Sequence, residues 1–131
     1  MSDAVSLVKS KLPMIPRILF ALMMLNSGLN KFFSFMPMPE MTPEAGALMG
    51  AFNATGYMFP LIGGVEVIAG AMLLTKKYNA LGAILMMPVT VNIALLHCTL
   101  DPAGCIMGCV LLGLNIWFLY QNKSRLSGML A

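Results

Sequence analysis

Apolar positions along this chain fall into four long runs, separated by short connections rich in proline, glycine or charge. The runs predict membrane-spanning helices over about 14–35, 57–75, 80–97 and 103–121. Glu66 interrupts the second run, Thr90 and Asn92 the third, and Asn115 the fourth. The first is the most polar, with Arg17, Asn26, Ser27, Asn30 and Lys31. A helix needs roughly 20 mostly apolar residues to cross a bilayer. The last three runs qualify on hydropathy, and the first does so if its polar residues sit near its ends or face other helices.

The connections carry signals of their own. Prolines extend the segment Met36 to Met41, after which Thr42-Pro43-Glu44 reads as a helix cap, a first-turn proline and an acid suited to the positive end of the helix dipole. A short outer-side helix over about 43–55 is therefore expected, ended by Gly56. Asp101-Pro102 repeats the cap-then-proline pattern before the fourth run. Pro88, inside the third, should free the carbonyl of Ile84, a break tolerated in membranes when a hydroxyl, water or neighbour satisfies it. The expected architecture is all-α: one four-span domain over 1–131, an antiparallel bundle with the short helix after the first span.

Composition agrees. Of 131 residues, 59% are hydrophobic and only 10% charged, against about 25% charged in soluble domains. The lipid bilayer is the first partner implied. Charge then sets orientation. Lys9, Lys11, Arg17, Lys76, Lys77, Lys123 and Arg125 fall on one side of the four runs, while Glu40, Glu44 and Asp101 fall on the other with Lys31. By the positive-inside rule the basic side is cytoplasmic, so both termini are expected in the cytoplasm of a bacterial-type inner membrane. The formal charge of +3 is a topology signal and calls for no nucleic acid. Asn26-Ser27-Gly28 is a poor cleavage site, so the first run is expected to stay as a span and not to be removed as a signal peptide.

Arg17-Ile18 opening the first run, Ser27-Gly28-Leu29-Asn30-Lys31-Phe32 closing it, and Glu66 in a glycine-rich second run resemble the DoxX-like family of small membrane proteins. Length and layout match over nearly the whole chain. The resemblance implies an antiparallel four-helix bundle, with Arg17, Lys31 and Glu66 as family polar positions; Arg17 and Gly28 are expected to serve structure and topology. Members include membrane subunits linked to thiosulfate–quinone oxidoreduction and partners in thiol-stress complexes; distant relatives are cargo receptors or assembly chaperones. A quinone is the cofactor that this implies, and a redox protein or a second copy of the chain the partner. Fold alone does not decide among these roles.

Depth along the expected helices, at about 1.5 Å per residue, groups the polar residues. Asn26, Glu66 and Asn92 fall in one layer. Lys31, His97, Cys98 and Cys105 lie nearer the outer face, with Cys109 between. A carboxylate at mid-membrane costs roughly 2.5–3.5 kcal/mol on insertion scales, so Glu66 should face inward, protonated or paired. It shares a face with Gly63, Val67 and Gly70, a stripe suited to close packing. Lys31, Asn26 and Asn92 are candidate partners. An outer pocket of Asn26, Lys31, Glu66, Asn92 and His97 is expected, with Lys31, Glu66 and His97 at its centre. Asn92 and His97 are about 140° apart on an ideal helix, so Pro88 must kink the helix or the pocket must wrap around it. The alternatives are a Glu66 that only pins helix register and a His97 that only caps a helix end.

No CxxC is present. Cys98 and Cys105 are the expected disulfide or redox pair, with Cys109 reduced and shielded; simple packing of all three cysteines is the competing reading. No metal site is expected. Met36, Met38 and Met41, spaced thioethers in the outer loop, are weak candidates for a soft ion such as Cu(I). No nucleotide loop, haem motif, iron–sulfur spacing or catalytic triad is visible. Two function classes follow: a redox-linked membrane subunit using the outer pocket, or a scaffold, chaperone or small-molecule transporter.

Overall fold

A computed structural model describes residues 3–6 and 14–130. Lys9 and Lys11, part of the charge argument, lie outside the described residues. The chain is helical, with no strand among the described residues: α1 (Met14–Phe33), α2 (Pro43–Ala54), α3 (Met58–Leu73), α4 (Asn79–Thr99), a 3-10 turn (Pro102–Gly104), α5 (Cys105–Gln121) and α6 (Lys123–Leu130).

Two of these elements, α4 and the stretch Pro102–Gln121, are long and apolar enough to cross a membrane. A third span exists if α2 and α3, which meet at 93°, count as one broken unit. Four spans were expected. The difference has two physical sources. α1 has the length, at 20 residues, but Arg17, Asn26, Asn30 and Lys31 dilute its apolarity. α3 has the apolarity but only 16 residues.

α1 packs on α3, α3 on α4, and α4 on α5, with a lighter contact between α1 and α5. Each buried face follows helical periodicity. On α3 it is Gly63, Glu66, Ala69, Gly70 and Leu73; on α4 it includes Gly82, Ala83, Met86, Thr90 and Ala94. The shared core gathers Phe20, Ala21 and Met24 of α1, Ala69 and Leu73 of α3, Ala83 and Met86 of α4, and Leu111 and Phe118 of α5. The Phe20 and Phe118 rings meet edge to face at 5.6 Å. Backbones approach closely between α3 and α4, where a Cβ on Gly82 would stand 2.8 Å from the carbonyl oxygen of Ala69, and between α1 and α3. A Cβ on Gly28 would stand 2.8 Å from the carbonyl oxygen of Gly63, so only glycine lets these backbones meet.

Thr42 caps α2 by accepting from the Ala45 N–H at 3.3 Å, Pro43 occupies the first turn, and Gly56 ends the segment at φ +75°. The Thr42 hydroxyl also donates to the carbonyl of Leu100, tying α2 to the end of α4. At the opposite end of the molecule Arg125 reaches the carbonyl of Lys76 at 3.3 Å, Asn79 Oδ1 at 2.7 Å and Asn122 Oδ1 at 3.3 Å. One guanidinium thus fastens the α3–α4 turn to the α5–α6 junction and gathers Lys76, Lys77, Lys123 and Arg125 at one end.

Candidate functional site

The contact between Gly28 and Gly63 lets the Lys31 side chain run along α3 to Glu66, one helical turn further in. The Lys31 ammonium donates to Glu66 Oε2 at 3.0 Å, Glu66 Oε1 at 3.2 Å and Ser27 Oγ at 3.0 Å. Three donors meet three acceptors, so the ammonium is fully used. Glu66 is 1% exposed, while the Lys31 side chain keeps a fifth of its surface accessible. Lys31 also stands in the last turn of α1, where the helix dipole favours a cation. Ser27 was not anticipated as a partner, although its i, i+4 spacing to Lys31 was readable.

His97 belongs to a different constellation. Its Nδ1 lies 3.3 Å from Asp101 Oδ2, and that nitrogen is buried without hydrogen-bond geometry to any partner among the described residues. Gly104 is packed against the ring: a Cβ there would come within 2.3 Å of Nδ1. Histidine, acid and glycine form the corner between α4 and α5. No hydrogen bond or ion pair joins His97 to Lys31 or Glu66 among the described residues. The polar contacts seen here thus form two groups, Lys31–Glu66–Ser27 and His97–Asp101.

Asn26 and Asn92 join neither. Asn26 is exposed and donates to Met36 Sδ at 3.3 Å, while Asn30 Oδ1 accepts from the Met36 N–H at 2.7 Å. The two asparagines hold the chain as it leaves α1 through Ser34, which takes φ +49°. Asn92 is exposed on the outward face of α4, because Thr90 and Ala94 occupy the buried face of that turn. Met36 and Met38 are exposed too, and Met41 is half-buried. The buried polar link of α4 is instead Thr90 to Asn115 of α5, at 2.9 Å. With its amide turned, Asn115 donates to the Ala83 carbonyl at 3.0 Å and accepts from Thr90 Oγ1 and the Met87 N–H. That places the bond beside Pro88, where the helix lacks a donor.

Cys98 and Cys105 are joined as a disulfide across the α4–α5 corner. Cys109 is free, with its sulfur 3.6 Å from that of Cys98. It is exposed, against the expectation of a shielded thiol. Gly108 takes the position facing Ala94 of α4, which turns the next residue outward. All three sulfurs lie within 4.8 Å of one another, so they could share one soft ion only if all were reduced.

At the opposite end a cavity of about 200 Å³ is lined by Met14, Arg17, Leu73, Asn79, Phe118, Gln121 and Asn122. Arg17 Nε is buried there without a hydrogen-bond partner among the described residues.

Comparison with known proteins fits this architecture. The DoxX family model matches residues 12–98, which includes α1 through most of α4 with Arg17, Gly28, Lys31 and Glu66. YwoB of Bacillus subtilis (strain 168), an uncharacterized protein, is 31% identical over 98 residues. That match covers 69% of this chain and 64% of YwoB, so slightly under two thirds of that protein is spanned. No solved structure matches the chain significantly. With elements apolar enough to cross a membrane and a family match across residues 12–98, this helical chain belongs to the DoxX family of membrane proteins.

Proposed function

We propose that this DoxX-family protein is a four-span subunit of a thiol-linked redox complex in a bacterial inner membrane, with both termini cytoplasmic. In this reading α1, α3, α4 and α5 cross the bilayer as an antiparallel bundle, and α2 lies at the outer surface. The observation that carries the redox reading is the sulfur group at the α4–α5 corner, a disulfide with a third thiol 3.6 Å away. By the charge argument that corner faces the oxidising side, where disulfides persist. Half-buried His97 and buried Asp101 beside it supply a site for proton exchange during thiol chemistry. A protein partner supplies or removes the electrons, with quinone as the candidate acceptor in the membrane. The chain is not a stand-alone enzyme, and a second copy is a candidate neighbour.

The test is capture from native membranes in mild detergent, with thiols blocked at lysis. A partner held by a bond to Cys98 or Cys105, released by reductant and lost when both residues are changed to Ser, supports the reading. A partner retained unchanged in that double variant favours a scaffold instead. The scaffold reading has its own support: Lys31, Ser27 and Glu66 satisfy one another completely, as a lock between α1 and α3 would.

A further inference from the structure

The geometry points to a three-cysteine exchange site in which Cys98 is a pivot, pairing alternately with Cys105 and Cys109. Cys105 and Cys109 are one turn apart on α5, and Cys98 faces both from α4. Its sulfur is bonded to Cys105 and 3.6 Å from Cys109. The two α5 cysteines do not make a natural pair with each other, because a disulfide between residues four apart in a regular helix strains the required geometry. Cys98 is the sulfur that either can reach.

The step conserves atoms and electrons. The Cys109 thiol loses its proton, its thiolate attacks Cys98 Sγ, the Cys98–Cys105 bond breaks, and a Cys98–Cys109 bond forms. Cys105 leaves as a thiolate and later takes up a proton. Nothing is oxidised or reduced overall. The reaction requires the attacking, central and leaving sulfurs to come near one line. The present group, with every pair within 4.8 Å, is bent, so Cys109 must swing about its side-chain torsion, which its exposed position permits.

The leaving group is favoured by its place. Cys105 opens the 17-residue α5, and a thiolate in the first turn of a helix is stabilised by the unsatisfied N–H groups and the dipole. Exchange therefore moves the free thiol about 6 Å along the helix axis, at ~1.5 Å per residue, from the outward flank of α5 to the corner beside His97. There the Cys105 thiolate can attack an external disulfide, forming a mixed disulfide and releasing one thiolate. The substrate class is a disulfide or thiol compound approaching the corner. Its physiological meaning rests on the thiol-linked reading above, but the exchange itself belongs to the isolated chain.

The sequence provides the assay. Asp101–Pro102 is cleavable by mild acid and Met107 by cyanogen bromide, so the three cysteines fall on separate fragments. The purified oxidised full-length protein in nanodiscs is incubated with N-ethylmaleimide, then cleaved and mapped without reduction. Label on both Cys105 and Cys109 is expected, with a Cys98–Cys109 bond in the molecules labelled at Cys105. Labelling should be lost in Cys109→Ser, and Cys105→Ser should form the Cys98–Cys109 bond. Wild-type label confined to Cys109 overturns exchange, and Cys98 and Cys109 both labelled in Cys105→Ser shows that the reach itself fails. A partner captured equally well by Cys109→Ser would leave the redox reading standing without the exchange. Exchange with no captured partner would do the reverse.

Discussion

Both carboxylate oxygens of Glu66 share the single ammonium of Lys31, at 3.0 and 3.2 Å, and the same ammonium is anchored by Ser27 in its own helix. The pair joins α1 to α3 at the point where Gly28 and Gly63 bring them closest. A buried ion pair stabilises little relative to a well-packed apolar pair, but losing one partner leaves an uncompensated charge.

Glu66→Leu should therefore destabilise the protein by about 3–5 kcal/mol, the usual cost of orphaning a buried charge. Glu66→Gln should cost less, because an amide oxygen still accepts from Lys31. Adding Lys31→Leu to Glu66→Leu should recover much of the loss. Thermal unfolding in detergent measures all three, and a double variant no more stable than Glu66→Leu would mean that the two residues act independently.

At the same helix crossing, Gly28→Ala must push backbone against backbone, since its Cβ would sit 2.8 Å from the Gly63 carbonyl oxygen. A loss of about 1–3 kcal/mol is expected, typical of an overpacked contact. Gly64→Ala is the control: nothing lies within 4 Å of its Cβ position, so the helix propensity of alanine should leave stability equal or higher. Equal losses at both positions would show that helix flexibility, and not proximity, is what these glycines supply.

Gly104→Ala should displace the His97 ring from the α4–α5 corner, because the new Cβ would fall 2.3 Å from Nδ1. We expect a destabilisation of about 1–3 kcal/mol, largely relieved by a second change, His97→Ala, which empties the space. If the double variant is less stable than either single one, the corner tolerates alanine by moving its backbone.

Orientation is checked by reporter fusions. Fusions after Ala131 and within Lys76–Lys77 should be active on the cytoplasmic side, and insertions between Met36 and Met41 on the outer side. Periplasmic activity at the C-terminus would invert the arrangement and move the cysteine corner to the cytoplasm, where disulfides rarely persist.

The helices were legible because apolar runs and their proline and glycine punctuation act locally. Thr42-Pro43-Glu44 gave the start of α2, and the insertion cost of Glu66 implied its burial. Lys31 was one of three candidate partners, although depth set it nearer the outer face than Glu66, the layer shared by the other two. What depth could not give is direction around each helix. Asn92 shares the layer of Glu66 yet faces outward, since Thr90 and Ala94 claim the inner face. His97 has the right depth but an acid four residues on, Asp101, and a glycine beneath it. Cys109 shows the same limit: its neighbour Gly108 faces α4 and turns it outward. Span counting met a different one. Polar residues needed for contacts between helices lower the hydropathy of α1, so the side chains that favour packing mask the signal of crossing.

α3 is the short member of the set. Sixteen residues reach about 24 Å at 1.5 Å per residue, less than the ~30 Å of bilayer hydrocarbon. In a four-span arrangement that mismatch falls on the lipids beside α3, which must shorten or disorder to meet it at a modest energy cost per ångström. α2, turned 93° from α3, then floats over the thinned outer leaflet as a raft. Acyl-chain length thereby becomes a variable acting on the helix that carries Glu66, and stability in bilayers of graded thickness should peak below the average membrane.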